Sequence, residues 1–164
     1  MGIRALAATI LISALNIGPA HAEDVLLDLS SAQQVATALQ AAGYKGELKK
    51  NDDGSFYILS AANGSGFTVD MTDCKLTCNG LSIQSFYEPE PLFSVALANE
   101  WNANNRFLKV SVNDKGELRE WMDVDTLGKL TKANFADLID WYVSMDANLA
   151  RFLKEKREAA KAKK

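Results

Sequence analysis

Histidine is almost missing from this chain, with His21 as its only example. Cysteine is nearly as scarce, with only Cys74 and Cys78. Long apolar runs are missing too. After the first two dozen residues nothing approaches the ~20 apolar residues that a membrane-spanning helix needs. Each shortage excludes something. His21 falls within a leader that reads as removable, so the mature chain has no imidazole. That excludes Ser-His-Asp and Cys-His nucleophilic chemistry, and it excludes histidine-based zinc sites.

The leader is recognised by its parts. Arg4 gives the positive start, Ala5 to Leu15 is an apolar run broken only by Thr9 and Ser13, and Ala20-His21-Ala22 is the small-x-small pattern of a signal peptidase site. Residues 1–22 are expected to be a signal peptide cut after Ala22. The run is too short for a comfortable transmembrane span. No membrane anchor is expected once it is removed, and the compact leader points to a bacterial periplasm or secretion. Residues 23–164 remain, enough for one domain with its own core.

Charge is unevenly spread. Residues 23–150 hold 19 Asp and Glu against 10 Lys and Arg, whereas residues 151–164 hold seven basic and two acidic side chains. An acidic body argues against nucleic acid as a partner. The basic end, "RFLKEKREAAKAKK", suits the C-terminal dipole of a helix. Residues 155–164 are therefore expected to be a solvated helix end or tail, with weak contact to an anionic surface as the alternative.

Local signals order the rest. Ser31 with Gln34 forms a capping-box pattern ahead of Val35, Ala38, Leu39 and Ala42, and Gly43 follows where a helix ends. Strands are expected at "GELKK", "SFYILS", the alternating stretch Phe67-Val69-Met71, and Leu81-Ile83, separated by turns at "NDDG" and "ANGSG". Proline cannot join a ladder but opens helices well, so Pro91 is expected to start a helix with Leu92, Phe93, Ala96, Leu97 and Trp101 on its apolar face. "RFLKVSV" and "ELREWMDV" flank a hairpin turn at residues 113–116. Thr131 is the N-cap of the last helix, with Leu130 and Phe135 at staple spacing, and its stripe runs from Phe135 through Tyr142 to Leu153. The order α-β-β-β-β-α-β-β-α predicts an α+β domain, an antiparallel sheet with helices packed on one face.

The cysteines admit three readings. If residues 75–77 form a three-residue loop between antiparallel strands, Cys74 lies opposite Cys78. The same register then sets Met71 against Leu81 and Val69 against Ile83, so both apolar sets fall on one face. A structural disulfide follows, and an exported chain sits where such a bond persists. It would close a five-residue ring, which the chain-entropy model values at roughly 2 kcal/mol. A redox centre is the second reading, weakened by the C-x-x-x-C spacing on strands and by the carboxylate of Asp73 next to Cys74. A zinc site is the third, and two thiolates would need two further ligands that no spacing supplies.

Three other constellations stand out. Asp123 and Asp125 share one strand face, a pattern that serves acid–base chemistry or calcium, and equally turns and caps. Asp52-Asp53-Gly54 reads as a turn. The junction "EWNANNRFLKV" gathers Trp101, Asn102, Asn105 and Arg106, either as a helix stop packed under tryptophan or as a recognition patch.

Taken in order, "AAGYKGEL", "GFTVDMTDCKLTCNGLSIQSFY", "ANEWNANNRFLKVSVNDKGELREWMDVD" and the closing helix from Thr131 resemble the YbjN family over roughly Leu27 to Leu153. The segment with Trp101, Asn102, Arg106 and Phe107 is the most specific part. The resemblance implies a single domain over residues 23–154 with a fold similar to type III secretion chaperones, which form dimers and bind extended peptide. It implies a regulator of unknown biochemistry, and since no catalytic residues are known for the family, none carry over; no cofactor is expected. The export signal departs from many members and makes cytoplasmic partners doubtful for this chain.

The expected function is an exported, non-catalytic binding or adaptor module, possessing a protein or peptide partner and forming a homodimer. The rival is a periplasmic thiol–disulfide protein using Cys74 and Cys78. A carboxylate-only hydrolase using Asp123 and Asp125 ranks last.

Overall fold

The computed structural model describes residues 25–162. The expected signal peptide at residues 1–22 lies outside that range, as do the last two residues of the basic end. The described chain is an α+β domain. A six-stranded antiparallel sheet has the order β2 (Glu47–Lys50), β3 (Phe56–Ala62), β4 (Ser65–Thr72), β5 (Gly80–Tyr87), β7 (Leu118–Asp125), β6 (Lys109–Val112), and a two-stranded ribbon pairs β1 (Leu26–Leu27) with β8 (Leu130–Thr131).

The N-terminal ribbon strand β1 (Leu26–Leu27) leads into α1 (Ala32–Ala41). Ser31 caps α1 as its local pattern predicts, its hydroxyl accepting from the Gln34 amide. The helix buries Val35 and Leu39, and the chain leaves it through Gly43 at φ +89, a backbone region open to glycine. Strands β2 (Glu47–Lys50), β3 (Phe56–Ala62), β4 (Ser65–Thr72) and β5 (Gly80–Tyr87) then form a meander. Asn63 and Gly64 alone make the β3–β4 turn, both at positive φ, so these strands run further than a five-residue turn would allow.

The alternation of apolar residues sets the register. Ile58 pairs with Val69, Val69 with Ile83 and Ile83 with Met122, one row across four strands. A one-residue slip would turn the whole set to solvent. The Met71–Leu81 and Val69–Ile83 pairs are those the cysteine spacing predicts. The cysteines themselves differ from expectation. The ladder ends at Thr72 opposite Gly80, and Asp73 at φ +52 turns the chain out of it. Cys74 and Cys78 are bonded within the connecting loop and are not part of the strands.

The second helix, α2 (Val95–Asn104), also starts later than expected. Pro91 occupies the second position of a turn closed by the Phe93 amide on the Glu90 carbonyl, and proline's fixed φ suits that place. The turn sets Phe93 edge-on against Tyr87 in the core. Ser94, not Pro91, then caps the helix through the Leu97 amide. Ala98 is buried and Ala96 is exposed, a consequence of the shifted start.

Strands β6 (Lys109–Val112) and β7 (Leu118–Asp125) form the last hairpin, and β8 (Leu130–Thr131) precedes α3 (Lys132–Ala162). Thr131 caps α3 through the Asn134 amide. Phe135, Ile139, Tyr142, Leu149 and Leu153 are buried along it. Helix and sheet residues form one core. Among the described residues no helix or strand covers the opposite sheet face. That face carries a polar ladder in which Arg119 donates to Gln84 and lies over Trp121, while Lys109 pairs with Asp123.

Candidate functional site

The α2–β6 junction explains why asparagine and tryptophan crowd there. Strand β6 lies at the edge of the sheet, with β7 on one side only. Its outward carbonyls and amide need partners, since unpaired strand edges invite foreign strands. The Trp101 indole N–H donates to the Leu108 carbonyl at 3.0 Å. Asn102 meets Val110 twice, donating to its carbonyl and accepting from its amide, each at 2.9 Å. A helix side chain thus replaces one rung of a missing strand. Asn105 donates its side-chain amide to the Trp101 carbonyl and ends the helix. Trp101 is 3% exposed and packs on Phe152. Of the four residues singled out in the sequence, Trp101 and Asn102 have these polar groups turned to β6. Asn105 and Arg106 border open space.

That space is shaped by the next residue. Phe107 adopts φ +67, and the Leu108 amide closes back onto the Arg106 carbonyl at 2.8 Å. Such a turn costs on the order of 1–3 kcal/mol for a side chain with a Cβ. It leaves Phe107 51% exposed, packed at 4.9 Å against Trp141, itself 47% exposed. The two rings divide two concavities. One, of about 550 Å³, runs along residues 122–125 of β7 toward Leu130, Asp137 and Leu138 on the other wall. The other, of about 380 Å³, is lined by Asn105, Arg106, Met145 and the indole of Trp101.

Asp123 and Asp125 lie beside the larger concavity on the uncovered sheet face. Asp123 accepts from Lys109, Ser82 and the Trp121 indole. Its burial opposes ionisation, yet those donors hold its carboxyl below the usual aspartate range. Asp125 accepts the Leu127 amide and supports the turn after β7. Asp53 likewise supports its own turn through Ser55.

One chemically unusual residue escaped the sequence reading. Glu120 is wholly buried on the core face of β7. It accepts from the Tyr142 hydroxyl at 3.1 Å, Tyr142 also meets Ser85 at 2.9 Å, and among the described residues the second Glu120 oxygen has no partner. Burial, with the nearby Asp146 carboxylate, pushes the Glu120 carboxyl up to about 8. The same burial, reinforced by Glu120, raises the Tyr142 and Tyr87 hydroxyls. The signal was present in the sequence: Leu118, Glu120 and Met122 share one face of an alternating strand.

The disulfide loop is elsewhere, docked on the entrance to α1 by the Cys78 amide on the Ser30 carbonyl. Cys74 is exposed. Among the described residues no group of three or more His, Cys, Asp or Glu side chains converges as a metal site would require, and no helix is long and apolar enough to cross a membrane.

No curated protein matches the chain. Its backbone is similar to the crystal structure of YbjN from E. coli, with a TM-score of 0.53 at 15% identity, covering 76% of this chain and 96% of that one. At that identity the likeness concerns the fold. The YbjN family model, described as "Putative bacterial sensory transduction regulator", matches residues 31–154, which include the sheet, α2, the Phe107 turn and most of α3. The description names a regulator, not an enzyme, and this chain belongs to the YbjN family.

Proposed function

We propose that the protein is an exported, non-catalytic binding or adaptor module of the YbjN family, which holds a protein or peptide partner in the cleft divided by Phe107 and Trp141. The observation that carries this reading is the pair of half-exposed aromatic rings between two concavities, held there by a strained backbone turn. Aromatic side chains in concave, partly apolar surroundings are typical anchors for partners. Strain persists where the surrounding structure enforces it, and such places cluster at functional sites. The leader at residues 1–22 supports export, and a homodimer and a contact of the basic end with an anionic surface belong to the same reading.

The test uses residues 23–164 as bait in periplasmic extract. Partners captured by the native chain are lost with Trp141→Glu and retained with Leu76→Glu, a control in the exposed disulfide loop. Capture indifferent to Trp141→Glu overturns the site. No capture from a chain that stays monomeric at all concentrations overturns the binding reading. Export is checked separately, by finding Glu23 as the N-terminus in the periplasmic fraction.

The exposure of Cys74 keeps one alternative in view, a thiol–disulfide function of Cys74 and Cys78. A reduction potential below about −300 mV identifies an inert structural bond, whereas a value near those of the periplasmic oxidants supports the alternative.

A further inference from the structure

The larger concavity has a wall that is not made of side chains alone. Strand β7 pairs with β5 along its whole length, from Leu118 opposite Tyr87 to Asp125 opposite Gly80. On its other side β6 pairs only as far as Trp121. The Phe107 turn takes the chain away at that point, so residues 122–125 have no neighbouring strand there among the described residues. The direction of their main-chain groups follows from the ladder. Val110 turns its amide and carbonyl outward to Asn102, so Lys109 and Ser111 bond inward to Trp121 and Arg119. Two and four residues on from Trp121, Asp123 and Asp125 point their main-chain groups the same way, into the cleft. Thr126 points the other way, its amide on Asn79 beside β5. Among the described residues no turn or loop backbone bond reaches Asp123 or Asp125.

We infer that this free end of β7 takes an extended segment of a partner protein as an added antiparallel strand in line with β6. The segment would alternate basic, apolar and basic residues. The inference rests on the cleft reading proposed above and specifies its occupant. Cross-strand neighbours share a sheet face. A residue opposite Val124 therefore enters the cleft between β7 and α3, where Phe107, Leu130, Leu138 and Trp141 await it. Residues opposite Asp123 and Asp125 lie with those carboxylates on the uncovered face. Lys109 already pairs with Asp123, but among the described residues Asp125 has no ion-pair partner. Lysine or arginine complements it. A second copy of this chain fits poorly, because β7 against β7 would place aspartate opposite aspartate, which destabilises a ladder.

The probe is a short acetylated and amidated peptide alternating lysine and valine, titrated against residues 23–164. Three comparisons accompany it: glutamate in place of lysine, the same lysine peptide methylated on the lysine backbone nitrogens, and the Asp125→Asn protein, which keeps an acceptor for the Leu127 amide. The expected result is saturable binding of the first peptide, at least about tenfold weaker binding in each comparison, and slowed hydrogen exchange at the Asp123 and Asp125 amides on binding. Equal binding of the methylated peptide overturns strand addition. Equal binding of the glutamate peptide overturns the basic pattern. Slow exchange at both amides without peptide, accompanied by dimer formation, assigns the edge to a second copy and overturns the inference. If no peptide binds while partners are still captured through Trp141, the inference fails and the cleft reading stands. If Trp141→Glu leaves capture intact, the cleft reading fails as well.

Discussion

Glu120 shows what a single buried carboxyl does to this protein. It is placed by alternation, between Leu118 and Met122, and its neighbours are Ser85 and Tyr87 from β5 and Tyr142 and Asp146 from α3. In the fold its carboxyl is pushed from 4.5 to about 8, so native protein keeps a proton that the unfolded chain has given up. Stability is therefore greatest at low pH as far as this group is concerned. It falls as pH rises from about 4.5 to about 8, by up to about 1.4 kcal/mol per unit, and levels off above that. Glu120→Gln keeps the shape and cannot ionise. Urea denaturation should show a flatter pH profile and a variant more stable than the parent at about pH 9 by a few kcal/mol. An unchanged slope between about pH 5 and 8 would contradict this. Trp101 belongs to the same scale. It was visible in the sequence as a tryptophan among asparagines, but its role depends on the Leu108 carbonyl, which a helix-to-strand turn brings to it.

At the scale of elements, strands and helices follow signals carried by near neighbours. Ser31 and Thr131 cap where their patterns say, and the β4–β5 register follows its apolar alternation. The departures have local causes of a kind that composition hides. A positive φ at Asp73 ends a ladder two residues early, and a turn at Pro91 delays a helix until Ser94 supplies a hydroxyl. The edge strand β6 is stabilised by a side chain from another element. Asn102→Ala leaves the Val110 amide and carbonyl without that partner. We expect a loss of about 1–3 kcal/mol in chemical denaturation and faster hydrogen exchange at Val110. Unchanged exchange there would remove Asn102 from the edge.

The whole molecule resolves the uneven charge of the sequence. The basic segment continues α3 as far as Ala162, and two of its cations return to the acidic body. Arg157 binds both oxygens of Glu90 at 2.9 and 2.7 Å, and Lys156 pairs with Glu100 of α2. The hydrogen bonds from Arg157 hold the Glu90 carboxyl below the usual glutamate range. The end of the helix is thus tied in part to the body. Because both groups are about a third exposed, Arg157→Ala should cost only about 0.5–1 kcal/mol, and the difference should shrink in high salt. Thermal denaturation at low and high ionic strength checks it. Equal losses at both would point to lost packing in place of lost charge.

Chain-local information, meaning period, caps and turn residues, was enough to assign the α+β class, the order of the main elements, the β4–β5 register and the apolar stripe of α3. Those features depend on residues within a few positions of one another. The cleft depends on contacts between distant residues. Phe107 meets Trp141, Asn102 completes β6, and Arg157 reaches Glu90 across 67 positions. The free end of β7 exists because one hairpin arm is shorter than the other and a strained turn leads it away. No periodicity encodes such a mismatch, since it arises only when helices and sheet are packed together and compete for the same backbone edge.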